Sequence, residues 1–214
     1  MPQIIETTVY EFHELADAAK EKARAWFREG VGDWDWHDSV YDDFEEICRI
    51  LGTELKTRTV RLMGGGTRQK PCIWFTGFYS QGDGACFEGI YTYEKGAARQ
   101  IREYAPKDVE LHRIADRLFE IQRDNFFQLR ADATHRGRYC HAYCMDISVE
   151  RDSPAYQDMT AGAEDAVTDA LRDLAGWLYR QLENEWDTMM SDEYADEGIA
   201  ANGYTFTETG CRFG

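Results

Sequence analysis

Long apolar runs are missing from this chain. No stretch approaches the ~18 apolar residues that a membrane-spanning helix needs, so no passage through a bilayer is expected. Positive charge is scarce: 24 Lys and Arg stand against 40 Asp and Glu, for a net charge of −16. Such a surface repels nucleic acid and anionic membranes and attracts basic partners. The opening MPQIIETTVYEF has no basic start and no apolar block, so no export signal is expected and the protein should stay in the cytoplasm. Without export, the six cysteines (Cys48, Cys72, Cys86, Cys140, Cys144, Cys211) read as reduced thiols. No GxSxG elbow, HExxH pair or phosphate-cradling GxGxxG or GxxxxGK[ST] loop occurs, which removes the commonest hydrolase, zinc-protease and nucleotide signatures.

What is present is a globular composition. The 6 Trp, 12 Tyr and 11 Phe can fill a core despite 30% charged residues. The 214 residues suit one domain spanning 1–214, with no internal repeat and no long linker. The acidity falls in two blocks. Residues 29–54 sum to −8 and residues 152–201 to −11, while the segment between them sums to +4.

Hydrophobic period and turn residues then order the chain. Strands are expected at 4–12, 53–63, 72–80, 86–94, 138–150 and 204–213. Helices are expected at 14–30 (inner stripe Leu15, Ala19, Ala23, Trp26, Phe27; cap Gly30) and at 37–52 (Val40, Phe44, Ile47, Leu51; cap Gly52). A short helix or turn precedes Pro106. Longer helices follow at 107–132 (Leu111, Ile114, Ala115, Leu118, Phe119) and 160–190 (Val167, Leu171, Leu174, Leu178, Leu182, Trp186), then a short one closed by Gly203. GGGTRQKP reads as a flexible loop. Without strict βαβ alternation, the pattern predicts an α+β fold: a mostly antiparallel sheet of five to six strands with long helices packed on it.

FYSQGDGACFEG (78–89) is the segment that invites a catalytic reading. A phosphate loop aims backbone N–H groups at the anion where a helix begins, but here a strand follows and Asp83 would oppose a phosphate; a calcium loop needs more oxygen ligands than Asp83 and Glu88 supply. Cys86 with His141 and Asp83 makes a third, enzymatic possibility, because a nucleophilic thiol needs a base and a lowered pKa. A hairpin accounts for the residues best. Glycines supply positive φ in a four- or five-residue connection, Asp83 bonds nearby N–H groups, and Gly77 and Gly89 admit a close neighbour. Cys140-His141-Ala142-Tyr143-Cys144 resembles a metal motif. On a strand, however, its cysteines and histidine face opposite ways, and no second ligand pair lies near in sequence. No metal and no cofactor are therefore expected. Asp165, Asp169 and Asp173 share one helix face at about 5–6 Å spacing. The row is either a solvated face or an imitation of a polyanion that meets Lys/Arg grooves.

Three segments carry a resemblance: VYEFHELADAAKEKARAWFREG (9–30), FTGFYSQGDGACFEG (75–89) and NGYTFTETGCRF (202–213). They resemble a family encoded by bacteriophages, prophages and plasmids whose members are often labelled antitoxin-like proteins of a toxin–antitoxin stability system. The resemblance implies a mobile-element origin, a bacterial cytoplasmic setting and a protein target. It carries over no catalytic residues.

The expected function is that of a non-enzymatic acidic protein. It would bind a basic host- or element-encoded protein, such as a nucleic-acid-binding defence factor, in the manner of an anti-CRISPR protein or DNA mimic. It would not contact nucleic acid or membrane. Neutralising a cognate toxin is the alternative. The expected contact residues are Asp42, Asp43, Glu45 and Glu46, then Asp165, Asp169 and Asp173, with Trp34 and Trp36 as aromatic anchors.

Overall fold

The computed structural model describes residues 6–32 and 35–214. The first half of the chain forms β1 (Tyr10–Glu11), α1 (Asp17–Val31), α2 (Asp38–Leu51), β2 (Thr53–Leu55), β3 (Thr57–Arg61), β4 (Thr67–Pro71), β5 (Ile73–Thr76), β6 (Gly84–Phe87), β7 (Gly89–Thr92) and α3 (Ala97–Tyr104). The second half forms α4 (Val109–Asp124), β8 (Leu129–His135), β9 (Met145–Arg151), α5 (Ala163–Met189), α6 (Asp192–Ala201), β10 (Thr205–Phe206) and β11 (Arg212–Phe213). The fold is α+β, and every described strand pair is antiparallel. The described residues gather into two compact units: Ser39–Leu182, and the chain ends up to Asp38 and from Glu183 onward.

In the larger unit, β2, β7, β8 and β9 form a four-stranded sheet in that order. Tyr91 of β7 sits between Thr53 and Ala131. β3–β4 and β5–β6 are separate hairpins. Apolar residues at helical spacing bury one face of each long helix: Phe44, Ile47 and Leu51 of α2; Leu111, Ile114 and Leu118 of α4; Val167, Leu171, Leu174, Leu178 and Leu182 of α5. Each such side chain contributes roughly 1.5–3 kcal/mol on burial. The Phe44 ring joins three of these elements, meeting Phe87 of β6 at 5.4 Å and stacking near Trp177 of α5 at 6.4 Å. Asp108 caps α4 by accepting from the Leu111 N–H at 2.9 Å and from the Trp177 indole at 2.7 Å.

The smaller unit packs α1 and α6 with the β1–β10–β11 sheet. Its core is Leu15, Ala19, Ala23, Ile199 and Phe206, surrounded by Tyr10, Phe12, Trp26, Phe27 and Tyr204. Gly198 lets the Phe27 ring come close: a Cβ there would sit 2.3 Å from it and would have to push the ring aside. Arg24 grips Asp196 with two bonds of 2.6 and 2.7 Å, and Arg28 bonds Asp192.

Several expected bounds shift for local reasons. The 4–12 strand is confined to β1 within the described residues, and a 3-10 turn at Phe12–Glu14 ends it. Gly30 lies inside α1; Gly32 follows its last residue. The 53–63 strand divides into β2 and β3, which join different sheets, and GGGTRQKP contains β4. The 86–94 strand divides at Glu88. The 204–213 strand is a hairpin of β10 and β11. The 107–132 helix stops at Asp124. There the buried Gln122 amide turns away from its helix and binds both the N–H and the C=O of Leu129, fixing the start of β8. Phe119, expected inside, is 40% exposed. The 138–150 strand begins only at Met145, after a 3-10 turn at Ala142–Cys144.

Candidate functional site

Helix α2 presents its buried stripe inward, which leaves Asp42, Asp43, Glu45 and Glu46 on its other faces. Two of these are occupied within the fold. The Tyr104 hydroxyl donates to Asp43 at 2.5 Å, and Arg49 binds Glu46 through two nitrogens. That partner holds the Glu46 carboxyl below its usual range. Asp42 and Glu45 have no ion-pair partner among the described residues. Partial burial, then the neighbouring Asp42 charge, pushes the Glu45 carboxyl up.

Beside these acids α2 ends at Gly52 and turns into β2. Gly52 adopts φ +83°, and a Cβ there would strike the Thr92 carbonyl at 2.3 Å, so the turn requires glycine. The result is a groove of about 550 Å³ lined by Asp42, Glu45, Glu46, Arg49, Thr53 and Glu54. Four carboxylates face one guanidinium. Thr53 is 3% exposed, and its Oγ1 has no hydrogen-bond partner. β2 is also an edge strand of the four-stranded sheet.

The aspartate row of α5 is a different environment. Arg117 of α4 binds Asp169 at 3.1 Å and Asp173 at 3.5 Å, and Arg113 binds Asp173 at 3.0 Å. Only Asp165 stands outside this network, so the row does not offer three unpaired carboxylates. Trp36 is half-buried and packs 5.5 Å from Trp186 inside the smaller unit. Trp34 lies outside the described residues.

The glycine-rich stretch is a hairpin with a seven-residue connection, Gly77 to Asp83. Asp83 accepts the Tyr79 and Ser80 N–H groups at 3.0 and 2.7 Å, which occupies it structurally. Gly77 gives its carbonyl to the Tyr179 hydroxyl at 3.0 Å, and Gly89 lies where a Cβ would come 2.9 Å from the Glu54 carbonyl. At Gly84 a Cβ would fall 2.5 Å from the His141 Cβ, so the 140–144 loop packs directly on the hairpin. Cys86 is fully buried; burial first, and the adjacent Cys140 thiol second, push its own thiol far up. Cys86 has no solvent access and Asp83 is held by the N–H groups of its own loop, so the two do not meet His141 in an open pocket.

A family description covers about three quarters of the chain: a domain of unknown function, DUF8835, matches residues 36–192. The chain belongs to the DUF8835 family. No curated protein and no solved structure matches it significantly. The DUF8835 segment contains the whole larger unit, hence both the acidic groove and the 140–144 loop. Segments 9–30 and 202–213 fall outside it.

A second concavity in this DUF8835 domain, about 380 Å³, is mainly apolar. Tyr91, Tyr93, Leu118 and Phe119 line it, and the Arg102–Asp116 ion pair at 2.6 Å sits among its lining residues. Sequence reasoning missed both concavities. Glu54 and Thr53 read as ordinary strand residues, and only the α2–β2 turn brings them beside the helix acids.

Proposed function

We propose that this protein is a non-enzymatic binding protein whose α2–β2 groove takes an extended, basic segment of a protein partner. The observation that carries this reading is the groove's lining of four carboxylates, Asp42, Glu45, Glu46 and Glu54, against Arg49 alone. Charge complementarity of this kind speeds encounter and fixes register. The edge position of β2 adds main-chain donors and acceptors, which suits an extended peptide joining the sheet. Nucleic-acid-binding proteins carry the required Lys/Arg tracts. In the mobile-element setting implied by the resemblance, a host defence factor of that class is the partner. The α5 row contributes little, because Arg113 and Arg117 already neutralise Asp169 and Asp173.

The test is binding of a fluorescent Lys/Arg-rich peptide by the full chain, followed by anisotropy across salt concentrations. Charge reversal at Asp42 and Glu45 should weaken binding about tenfold or more and flatten the salt dependence. Glu164→Lys, on α5, changes the net charge by as much per site and should leave binding almost intact. Equal losses for groove and α5 variants would mean that bulk charge alone attracts the peptide, and the groove reading fails. A cognate toxin as partner predicts instead that only the toxin, and no generic basic peptide, responds to the groove variants.

A further inference from the structure

The Cys140–Cys144 segment is not the strand that its sequence suggests, and that change alters its chemistry. The chain turns through a 3-10 segment at Ala142–Cys144 and folds back onto the β5–β6 hairpin at Gly84. This brings Cys140 to Cys86 of β6 and to His135 at the end of β8. One ligand atom from each of Cys86, His135 and Cys140 lies within 4.8 Å of the other two. A tetrahedron with metal–sulfur bonds of about 2.3 Å has edges of about 3.8 Å, so small side-chain movements close the set around one ion.

The residues immediately around the cluster fit the same purpose. His135 Nε2 lies 2.9 Å from the Tyr139 carbonyl. A ring N–H donated to a carbonyl fixes the tautomer and leaves Nδ1 with its lone pair, the usual outer arrangement of a metal-bound imidazole. Cys144 is half-buried, and its Sγ is 3.3 Å from His141 Nε2. His141 Nδ1 is buried without a partner. In the sequence, His135 and Cys140 are separated by four residues, and Cys140 and Cys144 by three, both within the short ligand spacings of zinc sites. Cys86 supplies the remote ligand that sequence inspection could not find. Two thiols gathered in a buried place, Cys86 and Cys140, repel one another as thiolates, and a divalent cation removes that repulsion.

We propose that Cys86, His135 and Cys140 hold a zinc ion, and that Cys144, four positions along the same loop and now 3.3 Å from His141 Nε2, swings in as the fourth, tetrahedral ligand. The ion ties β6, the end of β8 and the 139–144 loop together. Soft thiolate ligands with one imidazole favour zinc over magnesium or calcium. With four protein ligands the site has no open position for substrate, so its role is structural.

The experiment uses the full chain purified under reducing conditions, stripped with a chelator and titrated with Zn²⁺ and separately with Co²⁺. The expected result is one ion per chain, a thiolate-to-cobalt charge-transfer band with tetrahedral visible bands, and a lower melting temperature after chelation. Cys140→Ser and Cys144→Ser should each weaken zinc binding by about 100-fold or more. Cys211→Ser, at an exposed thiol, should leave it unchanged. Should Cys140→Ser fail to fold, His135→Asn at a half-buried position gives the same reading. Zinc binding that survives all three ligand variants, a cobalt spectrum without thiolate charge transfer, or a wild-type melting temperature indifferent to chelation each overturns the proposal.

Discussion

Single residues decide whether the hairpin and the 140–144 loop can meet. Gly84 has no room for a methyl group, since the His141 backbone Cα would be 2.8 Å from it. Gly84→Ala must therefore displace backbone, and it should destabilise the larger unit by about 1–3 kcal/mol. Denaturant unfolding of the metal-free chain would measure this. Gly82 is more tolerant in space, meeting only the Tyr139 ring at 3.3 Å, but its φ of +97° strains any other residue. The sequence showed these glycines and their hairpin role, and it showed that Asp83 would bind local N–H groups. It did not show Gly84 as a contact position, because the contacting residue is more than fifty positions away. The same distance hid Cys86 as a companion of Cys140.

At the scale of elements, one buried amide separates helix from strand. Gln122 is the last inward residue of α4, and its side chain satisfies both polar groups of Leu129 at 2.8 and 3.1 Å. Gln122→Leu leaves that N–H and C=O unpaired in the core, at about 1–3 kcal/mol per orphaned group. Hydrogen exchange should then accelerate first at the start of β8; unchanged protection at Leu129 would show that water takes over the bond. Between them, Asn125 binds the Ile121 carbonyl, and Phe126 and Phe127 both adopt left-handed φ near 60°. Such backbone costs roughly 1–2 kcal/mol per residue, which the packing of Phe127 on Tyr93 at 4.3 Å helps to offset. Helical period ran on through FFQLRAD because the residues are apolar at suitable spacing; only the tertiary role of Gln122 breaks it. By contrast α2 and α5 were legible throughout, since their stripes are long and nothing interrupts them. The groove was half legible: the helix acids are visible in the sequence, while Thr53 and Glu54 join them through a turn.

For the molecule as a whole, charge is organised by pairing as much as by excess. The second acidic block loses Asp192 and Asp196 to Arg28 and Arg24, and Asp169 and Asp173 to Arg113 and Arg117. No linear count of charges reveals this, because each arginine comes from a distant part of the chain. The bond from Arg24 holds the Asp196 carboxyl below its ordinary range, although partial burial opposes it. A depressed folded pKa stabilises the native state above the unfolded carboxylate value of about 3.9, and the stabilisation is lost as pH falls through the folded value. Asp196→Asn should therefore melt earlier than the wild type at pH 7, and the two melting temperatures should converge in acid. A gap that persists at low pH would trace the loss to packing and not to the ion pair. The α+β class was readable from mixed periodicities. The boundaries at residues 38 and 183 were not, since one falls at a helix start and the other inside a helix, with no change of composition.

The smaller unit is assembled from both ends of the chain, whereas the larger one is a continuous stretch from Ser39 to Leu182. On the ribosome these two have different schedules. The larger unit has its full sequence once residue 182 has emerged, and can reach its native arrangement while translation continues. The first thirty-odd residues must wait, with the α1 stripe of Leu15, Ala19 and Ala23 uncovered, until Ile199 and Phe206 are made. A nascent chain arrested before residue 199 should thus be protease-resistant in its middle and cleavable near its start.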